Sequence, residues 1–298
     1  MPLAPVALFV YNRLSHAQKT LVALKANELA AESDLIIFSD GPKSKAEETS
    51  IAELRLFLKD VDGFKRIDLI ERESNLGLAQ SIISGVTDTV EKYGKVIVLE
   101  DDMLTSPYFL RYMNDALDLY RDEEEVISIA AYLYPVASVL PRTFFLRGTE
   151  CWGWATWKRG WQIFEPDGQK LLNELEERGL NRRFDVNGTF TYTRMLRNQI
   201  AGRNDSWAVR WHASAFLRGK LTLFPGKSLV QNIGNDGSGT HTPDTAWFDV
   251  KVDTSPVLLR KLVPEENFIA AEAVEEYFRK SRMSLWGLWQ RMIWKIFS

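Results

Sequence analysis

Cysteine is nearly absent from the 298 residues, with Cys151 the only one. An intramolecular disulfide and any cysteine-based zinc site are thereby excluded, and a reducing, cytoplasmic compartment is expected. No stretch reaches the ~18 uninterrupted apolar residues that a bilayer span needs. No basic segment precedes an apolar run at the amino end, where Pro2 to Val10 reads as a strand, so no secretory signal is expected. Charge of one sign is not in excess: 37 Lys and Arg against 40 Asp and Glu leave a net charge of −3. A general nucleic-acid binder would carry a broad basic face, so nucleic acid is not an expected partner. The usual phosphate-cradling loops are missing too, with neither a Walker A sequence nor GxGxxG. Any phosphate must then rest on a metal and on single basic groups, of which Arg13 is the first candidate. Internal repeats and low-complexity linkers are also lacking.

What is present is a core-forming composition, 45% hydrophobic and 26% charged. The ten tryptophans are clustered: Trp152, Trp154, Trp157 and Trp161 lie together, Trp207 and Trp211 form a pair, and Trp286, Trp289 and Trp294 crowd the end, with Trp247 alone.

The first hundred residues alternate between short apolar runs and helical spacing. Val6 to Val10, Leu35 to Phe38, Ile67 to Ile70 and Val96 to Leu99 read as strands. Between them, Leu21, Leu24 and Leu29, then Ile51, Leu54 and Leu58, then Leu78, Ile82, Ile83 and Val86 recur as helix faces, the first starting at a Ser15 cap and the last ending at Gly94. Such βαβ units predict a parallel, buried sheet with its ligand site at the carboxyl ends of the strands. Helices are expected over 106–121, 168–178, 190–201 and 207–218. Further strands are expected at Val126 to Ala130, Phe144 to Arg147 and Leu221 to Phe224.

The strongest chemical signal is Glu100-Asp101-Asp102 at the exit of the fourth strand. Three adjoining carboxylates repel one another unless a cation or hydrogen bonds offset them. A hard divalent ion, Mn²⁺ or Mg²⁺, bound together with substrate phosphates, suits them. The simpler alternative is that Asp102 or Thr105 caps the helix entering at Ser106-Pro107.

The order Phe9-Val10-Tyr11-Asn12-Arg13, Phe38-Ser39-Asp40-Gly41, Asn75-Leu76-Gly77-Leu78, Leu99-Glu100-Asp101-Asp102 resembles the nucleotide-sugar glycosyltransferases of the GT-A fold. More narrowly it resembles bacterial family-2-like sugar transferases, which are similar in turn to the Golgi enzymes adding N-acetylglucosamine to mannose. The resemblance spans roughly residues 5–245. It implies a Rossmann-like, mostly parallel α/β sheet flanked by helices in a single catalytic domain. Residues 1–105 would form its nucleotide-sugar half, 106–245 its acceptor half and 246–298 a C-terminal helical extension. It implies Asp102 as metal ligand, Glu100 and Asp101 against the sugar or ribose, Asp40 against the base, and Arg13, Asn75 and Gly77 beside the nucleotide-sugar. Cys151 to Trp157 matches the acceptor-side Gly-Trp segment, which makes Trp152 and Trp154, with Trp207, candidates for stacking on sugar. Gly237 and Ser238 match a loop that closes on the donor, and His241 on that loop is a further candidate metal ligand. Asp205, before Trp207, aligns with the acid that serves as catalytic base, its alternative role being a plain helix cap. His16 and His212 read as packing residues.

The expected activity is transfer of a hexosyl or N-acetylhexosaminyl group from a nucleoside diphosphate, UDP foremost, to a hydroxyl of a glycan or lipid-linked glycan, with inversion, in polysaccharide biosynthesis. The rivals are a catalytically inactive carbohydrate-binding or scaffold protein of the same fold and, more remotely, a nucleotidylyltransferase. The latter would bring a glycine-rich basic segment after strand one, where this chain has Asn12-Arg13-Leu14-Ser15. In 279–298, five basic residues and no acidic ones accompany Leu285, Trp289, Met292, Ile293 and Ile296 at helical spacing. That pattern suits a helix lying in the interface of an anionic membrane, the inner face of the plasma membrane. The alternative is a helix docked on the protein itself or in a homodimer.

Overall fold

A computed structural model describes residues 2–236 and 246–281. The first strand, β1 (Val6–Val10), is wholly buried and feeds α1 (Leu14–Lys25). Then follow β2 (Asp34–Ser39), α2 (Glu48–Lys59), β3 (Arg66–Glu71), α3 (Leu78–Tyr93) and β4 (Lys95–Glu100). These four strands pair in parallel in the order β3-β2-β1-β4, as the apolar runs predict. Gly94, left-handed at φ 77°, ends α3 and lets the chain turn straight into β4.

The second half extends the same sheet. It comprises β5 (Met103–Thr105), α4 (Phe109–Leu119), β6 (Val126–Ala130), β7 (Thr143–Arg147), β8 (Trp154–Trp157), α5 (Lys158–Trp161), α6 (Gly168–Glu177), α7 (Asn181–Phe184), α8 (Tyr192–Ile200), α9 (Trp207–Leu217), β9 (Leu221–Pro225) and β10 (Val230–Asn232). The eight-stranded sheet runs β3-β2-β1-β4-β8-β6-β9-β7, and β5 and β10 form a separate antiparallel pair. β8 lies antiparallel between β4 and β6, so β6, and β9 parallel to it, run in the direction of β4. The result is a mixed α/β sheet flanked by helices, and mostly unidirectional. The alternation of hydrophobic segments shows which residues form strands but is blind to direction, so the central reversal at β8 is not visible in it.

Side chains of α1 and α4 pack on one face with Leu8, Ile97 and Leu99. Those of α3 and α9 pack on the other with Phe9, Phe38, Val96 and Val98. The second core holds four of the seven described tryptophans. Trp154 is 0% exposed and Trp207 3%. Their rings stack at 5.4 Å, with Trp211 at 6.1 Å and Trp161 at 5.7 Å from Trp154. Trp154 and Trp207 therefore have no open face for a sugar, which corrects their assignment as stacking residues. The period of two along β8 points Trp154 into the α3–α9 layer.

The starts of three helices show which residues cap them. Arg13, not Ser15, occupies the cap position of α1. α4 begins at Phe109, after Ser106 Oγ has accepted the Tyr108 N–H at 3.2 Å. Neither Asp102 nor Thr105 caps it, since Thr105 Oγ1 accepts from Asn27 Nδ2 at 2.9 Å and Asp102 faces Arg13. The cap of α9 is Ser206, whose Oγ accepts the Val209 N–H, leaving Asp205 outside that role.

The chain over 246–281 packs back on the second half through a bridge between Phe145 and Glu266, and residues 268–281 are helical. No described helix is long and apolar enough to cross a membrane. Of the basic amphipathic segment, 282–298 lies outside the described residues.

Gly85 sets how closely α3 approaches the sheet. A Cβ there would lie 2.6 Å from the Phe9 ring and 3.1 Å from Phe38, two buried rings stacked at 4.8 Å. Alanine is the better helix former by about 1 kcal/mol, but overpacking a filled core costs about 1–3 kcal/mol. Gly85→Ala is expected to lower stability in urea unfolding. A gain would show that the rings yield.

Candidate functional site

β4 carries Glu100 out of the core to the carboxyl edge of the sheet, and Asp101 and Asp102 follow in the turn before β5. The loop leaving β1, its parallel neighbour, brings Arg13 to the same point. Arg13 Nη2 donates to Asp101 Oδ1 at 2.7 Å and to Asp102 Oδ2 at 2.6 Å. Asp101 Oδ2 also accepts the Tyr11 N–H at 3.4 Å, and Thr20 Oγ1 donates to its carbonyl at 2.7 Å. Asp101 and Asp102 are 5% and 7% exposed.

Burial drives the Asp101 carboxyl above its ordinary range, against the opposing pull of Arg13. Glu100, with no such cation bonded to it, is pushed up by desolvation and by its two acidic neighbours. The Arg13 guanidinium, held between two carboxylates, is more firmly protonated than an ordinary arginine.

Asp102 Oδ1 is buried and has no hydrogen-bond partner among the described residues. Over the same carboxylate passes the chain leaving β10, where the Ile233 N–H donates to the Asp102 carbonyl at 2.8 Å. A Cβ on Gly234 would stand 2.1 Å from Asp102 Oδ2 and 2.9 Å from Arg13 Nη1, so only glycine fits this crossing without displacing them. Among the described residues no three His, Cys, Asp or Glu converge as a complete metal cage. The orphaned carboxylate oxygen is nevertheless a hard ligand of the kind that Mn²⁺ or Mg²⁺ takes, with the Arg13 guanidinium on the other oxygen. Mg²⁺ in particular is commonly held by one or two carboxylates, with substrate phosphates and water as the other ligands.

The second group lies at the exit of β2. Asp40, 4% exposed, accepts from the N–H groups of Leu76 at 3.0 Å and Gly77 at 3.0 Å, and from Asn75 Nδ2 at 3.2 Å. The Asn75 amide also donates to the Gly41 carbonyl at 3.0 Å. Gly41 is required because a Cβ would meet the Ser74 backbone at 2.5 Å. The structure thus unites Asp40, Asn75 and Gly77, far apart in sequence, with the Asp40 oxygens occupied in fastening one loop to the other. Tyr11, given no role of its own in the sequence, and Glu47, which the sequence reading passed over, tie this region together. The Tyr11 hydroxyl donates to Glu47 at 2.7 Å, and burial and that carboxylate raise its pKa to about 12.

The third group is the turn before β8. Trp152 is half-buried, edge-on to Tyr132 at 4.7 Å and Phe248 at 5.5 Å. Next to it is a carboxylate that sequence reasoning missed. Glu150, 8% exposed, accepts the Cys151 N–H at 2.9 Å, and the Tyr134 hydroxyl and Trp152 N–H favour its charged form. Burial holds its carboxyl above the usual range. A lone Glu between Thr149 and Cys151 carries no pattern that could have marked it.

Asp205 is exposed and accepts from Arg210 Nη2 at 3.4 Å. α9 precedes β9, which runs with β4, and packs on the sheet face of Val96 and Val98. Its amino end, with Asp205, therefore belongs to the same edge of the sheet as the acidic triplet, without touching it. Gly237, Ser238 and His241 lie outside the described residues.

No protein family and no curated protein matches this sequence. Solved structures to which the fold is similar, at low identity, include the following. A mannosyltransferase of Pyrobaculum calidifontis, in complex with GDP-Man and Mn²⁺, is 12% identical, with 45% of this chain and 36% of that one matched and a TM-score of 0.31. S. aureus TarS, residues 1–349, is 10% identical, with 78% of this chain and 61% of that one matched and a TM-score of 0.41. A UDP-glucose pyrophosphorylase complexed with UDP-glucose is 11% identical, with 56% and 82% matched and a TM-score of 0.33. The chain matches less than two thirds of the length of the mannosyltransferase and of TarS. Likeness this slight carries no argument about activity.

His212, as its sequence setting suggests, is structural. Its ring packs on Tyr192 at 4.5 Å, its Nδ1 lies 3.0 Å from both the nitrogen and the carbonyl oxygen of Thr149, and burial lowers its pKa to about 4. An unfolded imidazole takes its proton near pH 6.5. Between those values the unfolded chain binds more protons, so this residue's contribution is complete above pH 6.5 and is lost as pH falls toward 4. The loss amounts to roughly 3 kcal/mol at most. Urea unfolding at pH 7, 5.5 and 4 should show an acid decline that is smaller by this amount in His212→Phe. An identical decline in the variant would mean that the imidazole is charged in the fold.

Proposed function

We propose that this chain is a metal-dependent glycosyltransferase of GT-A architecture, moving a sugar from a nucleoside diphosphate to a hydroxyl of a glycan or glycolipid. The observation that carries this reading is the buried, unpaired Asp102 Oδ1 at the carboxyl edge of a Rossmann-like sheet, beside a guanidinium bridging two carboxylates. A sugar diphosphate leaves with added negative charge, and a divalent ion at Asp102 would stabilise that charge as a Lewis acid. Arg13 would share it. The joined loops holding Asp40, Asn75 and Gly77 would line the nucleotide, with Glu100 and Asp101 toward the sugar or ribose.

The acceptor would lie against Trp152, whose ring is the one of the three candidate stacking tryptophans left partly open. Its hydroxyl oxygen would form the new bond to the anomeric carbon as the bond to the diphosphate breaks, with inversion. Asp205, at the sheet's ligand edge and free of any capping duty, would take the hydroxyl proton. Glu150 is the second reading for this step. It adjoins Trp152, and the turn that carries it lies close enough to Glu100 for the charge of Glu100 to raise the Cys151 thiol pKa. The cytoplasmic location, the membrane contact through 279–298 and the roles of Gly237, Ser238 and His241 belong to the same proposal.

A thermal-shift panel of nucleoside diphosphates and nucleotide sugars, with and without Mn²⁺, tests the reading. A ligand at 100 times its Kd adds about 2.7 kcal/mol of stability. In Asp102→Asn the Mn²⁺-dependent part of that gain should vanish while the melting point without ligand changes little. Retention of the gain would remove Asp102 from the metal. Turnover in the presence of Mn²⁺ would separate a transferase from an inactive scaffold, and pyrophosphate release from a nucleoside triphosphate and a sugar phosphate would instead reveal a nucleotidylyltransferase.

The base is tested by Asp205→Asn and Glu150→Gln. Loss of the base costs ~10²–10⁴-fold in rate at unchanged donor affinity. That loss is expected in Asp205→Asn. Near-parental turnover there, with the loss in Glu150→Gln, would transfer the role to Glu150.

A further inference from the structure

The placement of Arg13 bears on how the site is loaded. One nitrogen, Nη2, bridges Asp101 and Asp102 at 2.7 and 2.6 Å, so the two carboxylates share a single cation. A structural ion pair would be expected to satisfy both oxygens of a buried acid. Here Asp102 Oδ1 stays unpaired although the residue is 7% exposed. The backbone at Gly234 closes over Asp102 Oδ2 and Arg13 Nη1, and the Ile233 N–H anchors that crossing to the Asp102 carbonyl at 2.8 Å. A bound Mg²⁺ sits about 2.1 Å from its carboxylate oxygen. On Asp102 it would lie only a few ångströms from the guanidinium, and two cations that close repel strongly in a setting with little water. A diphosphate relieves the conflict, because its oxygens can ligate the metal and accept from the guanidinium at the same time.

We propose, on the basis of the transferase reading above, that Arg13 is the resting counter-ion of the metal site. It holds Asp101 and Asp102 together in the empty protein, opposes binding of a divalent ion alone, and turns to the diphosphate when metal and nucleotide arrive together. Arginine suits this role because it never deprotonates and so cannot yield the site by losing its charge. Metal and diphosphate affinities are then coupled through one side chain, and the coupling is reciprocal.

The test measures Mn²⁺ binding by the loss of the free-ion paramagnetic resonance signal, first with Mn²⁺ alone and then with UDP, GDP, CDP or ADP added. The proteins are the parent, Arg13→Gln and Arg13→Met, each checked for folding by circular dichroism and melting, so that Arg13→Met carries the comparison if Arg13→Gln does not fold. Both variants are expected to bind Mn²⁺ alone at least tenfold more tightly than the parent, about 1.4 kcal/mol. The enhancement of Mn²⁺ binding by the diphosphate should shrink correspondingly. Equal affinity for Mn²⁺ alone in parent and variants, with the diphosphate enhancement intact, would overturn the counter-ion while leaving the transferase reading in place. Absence of any diphosphate enhancement in the parent would overturn the transferase reading, and a rise in Mn²⁺ affinity in the variants would still identify Arg13 as the resting counter-ion.

Discussion

Three consecutive carboxylates at the end of a buried strand are the constraint around which this molecule is arranged. Removing them from water is unfavourable, and their mutual repulsion adds to the cost. One guanidinium bridges two of them. The third, Glu100, is left with a pKa driven upward. The surrounding chain follows from this. α1 starts directly after Arg13, Thr20 on α1 holds the Asp101 carbonyl, and the chain after β10 passes so close that a side chain at residue 234 would displace Asp102 and Arg13.

The reversal at β8 brings a further loop to the carboxyl edge of the first four strands. A sheet continued in parallel would have returned every connection to the opposite edge. Running β8 antiparallel between β4 and β6 lets the turn at 148–153 emerge beside the triplet, with Gly148 and Gly153 both left-handed to make it. Trp152 and Glu150 arrive there as a pair, one a half-open ring and the other a buried acid. The tryptophans behind them fill the layer between sheet and helices, and Trp154 and Trp161 anchor it to α9 through Trp211.

The amino-terminal half has a different kind of rigidity. Asp40 is a hub, with its oxygens taken up by the backbone of 76–77 and the Asn75 amide. Arg55 reinforces it by donating to the Ser39, Asp40 and Arg72 carbonyls. Such saturated polar networks fix loop geometry before any ligand arrives.

The amino-acid order alone determined the parallel half of the sheet, its helices and the acidic triplet at its exit. Those follow from local periodicity and from the cost of crowding like charges, both of which act over a few residues. It also marked Arg13, the resemblance in motif order added Asp40, Asn75 and Gly77, and the fold brings them to neighbouring strand ends. Only the tertiary structure decided which tryptophans are core and which is open, because ring exposure depends on α3 and α9 closing over β8. It alone set the direction of β8, the pairing of Arg13 with both Asp101 and Asp102, the freeing of Asp205 by a Ser206 cap, and the place of Glu150. Each of these rests on contacts between segments far apart in sequence, which hydrophobic spacing does not encode.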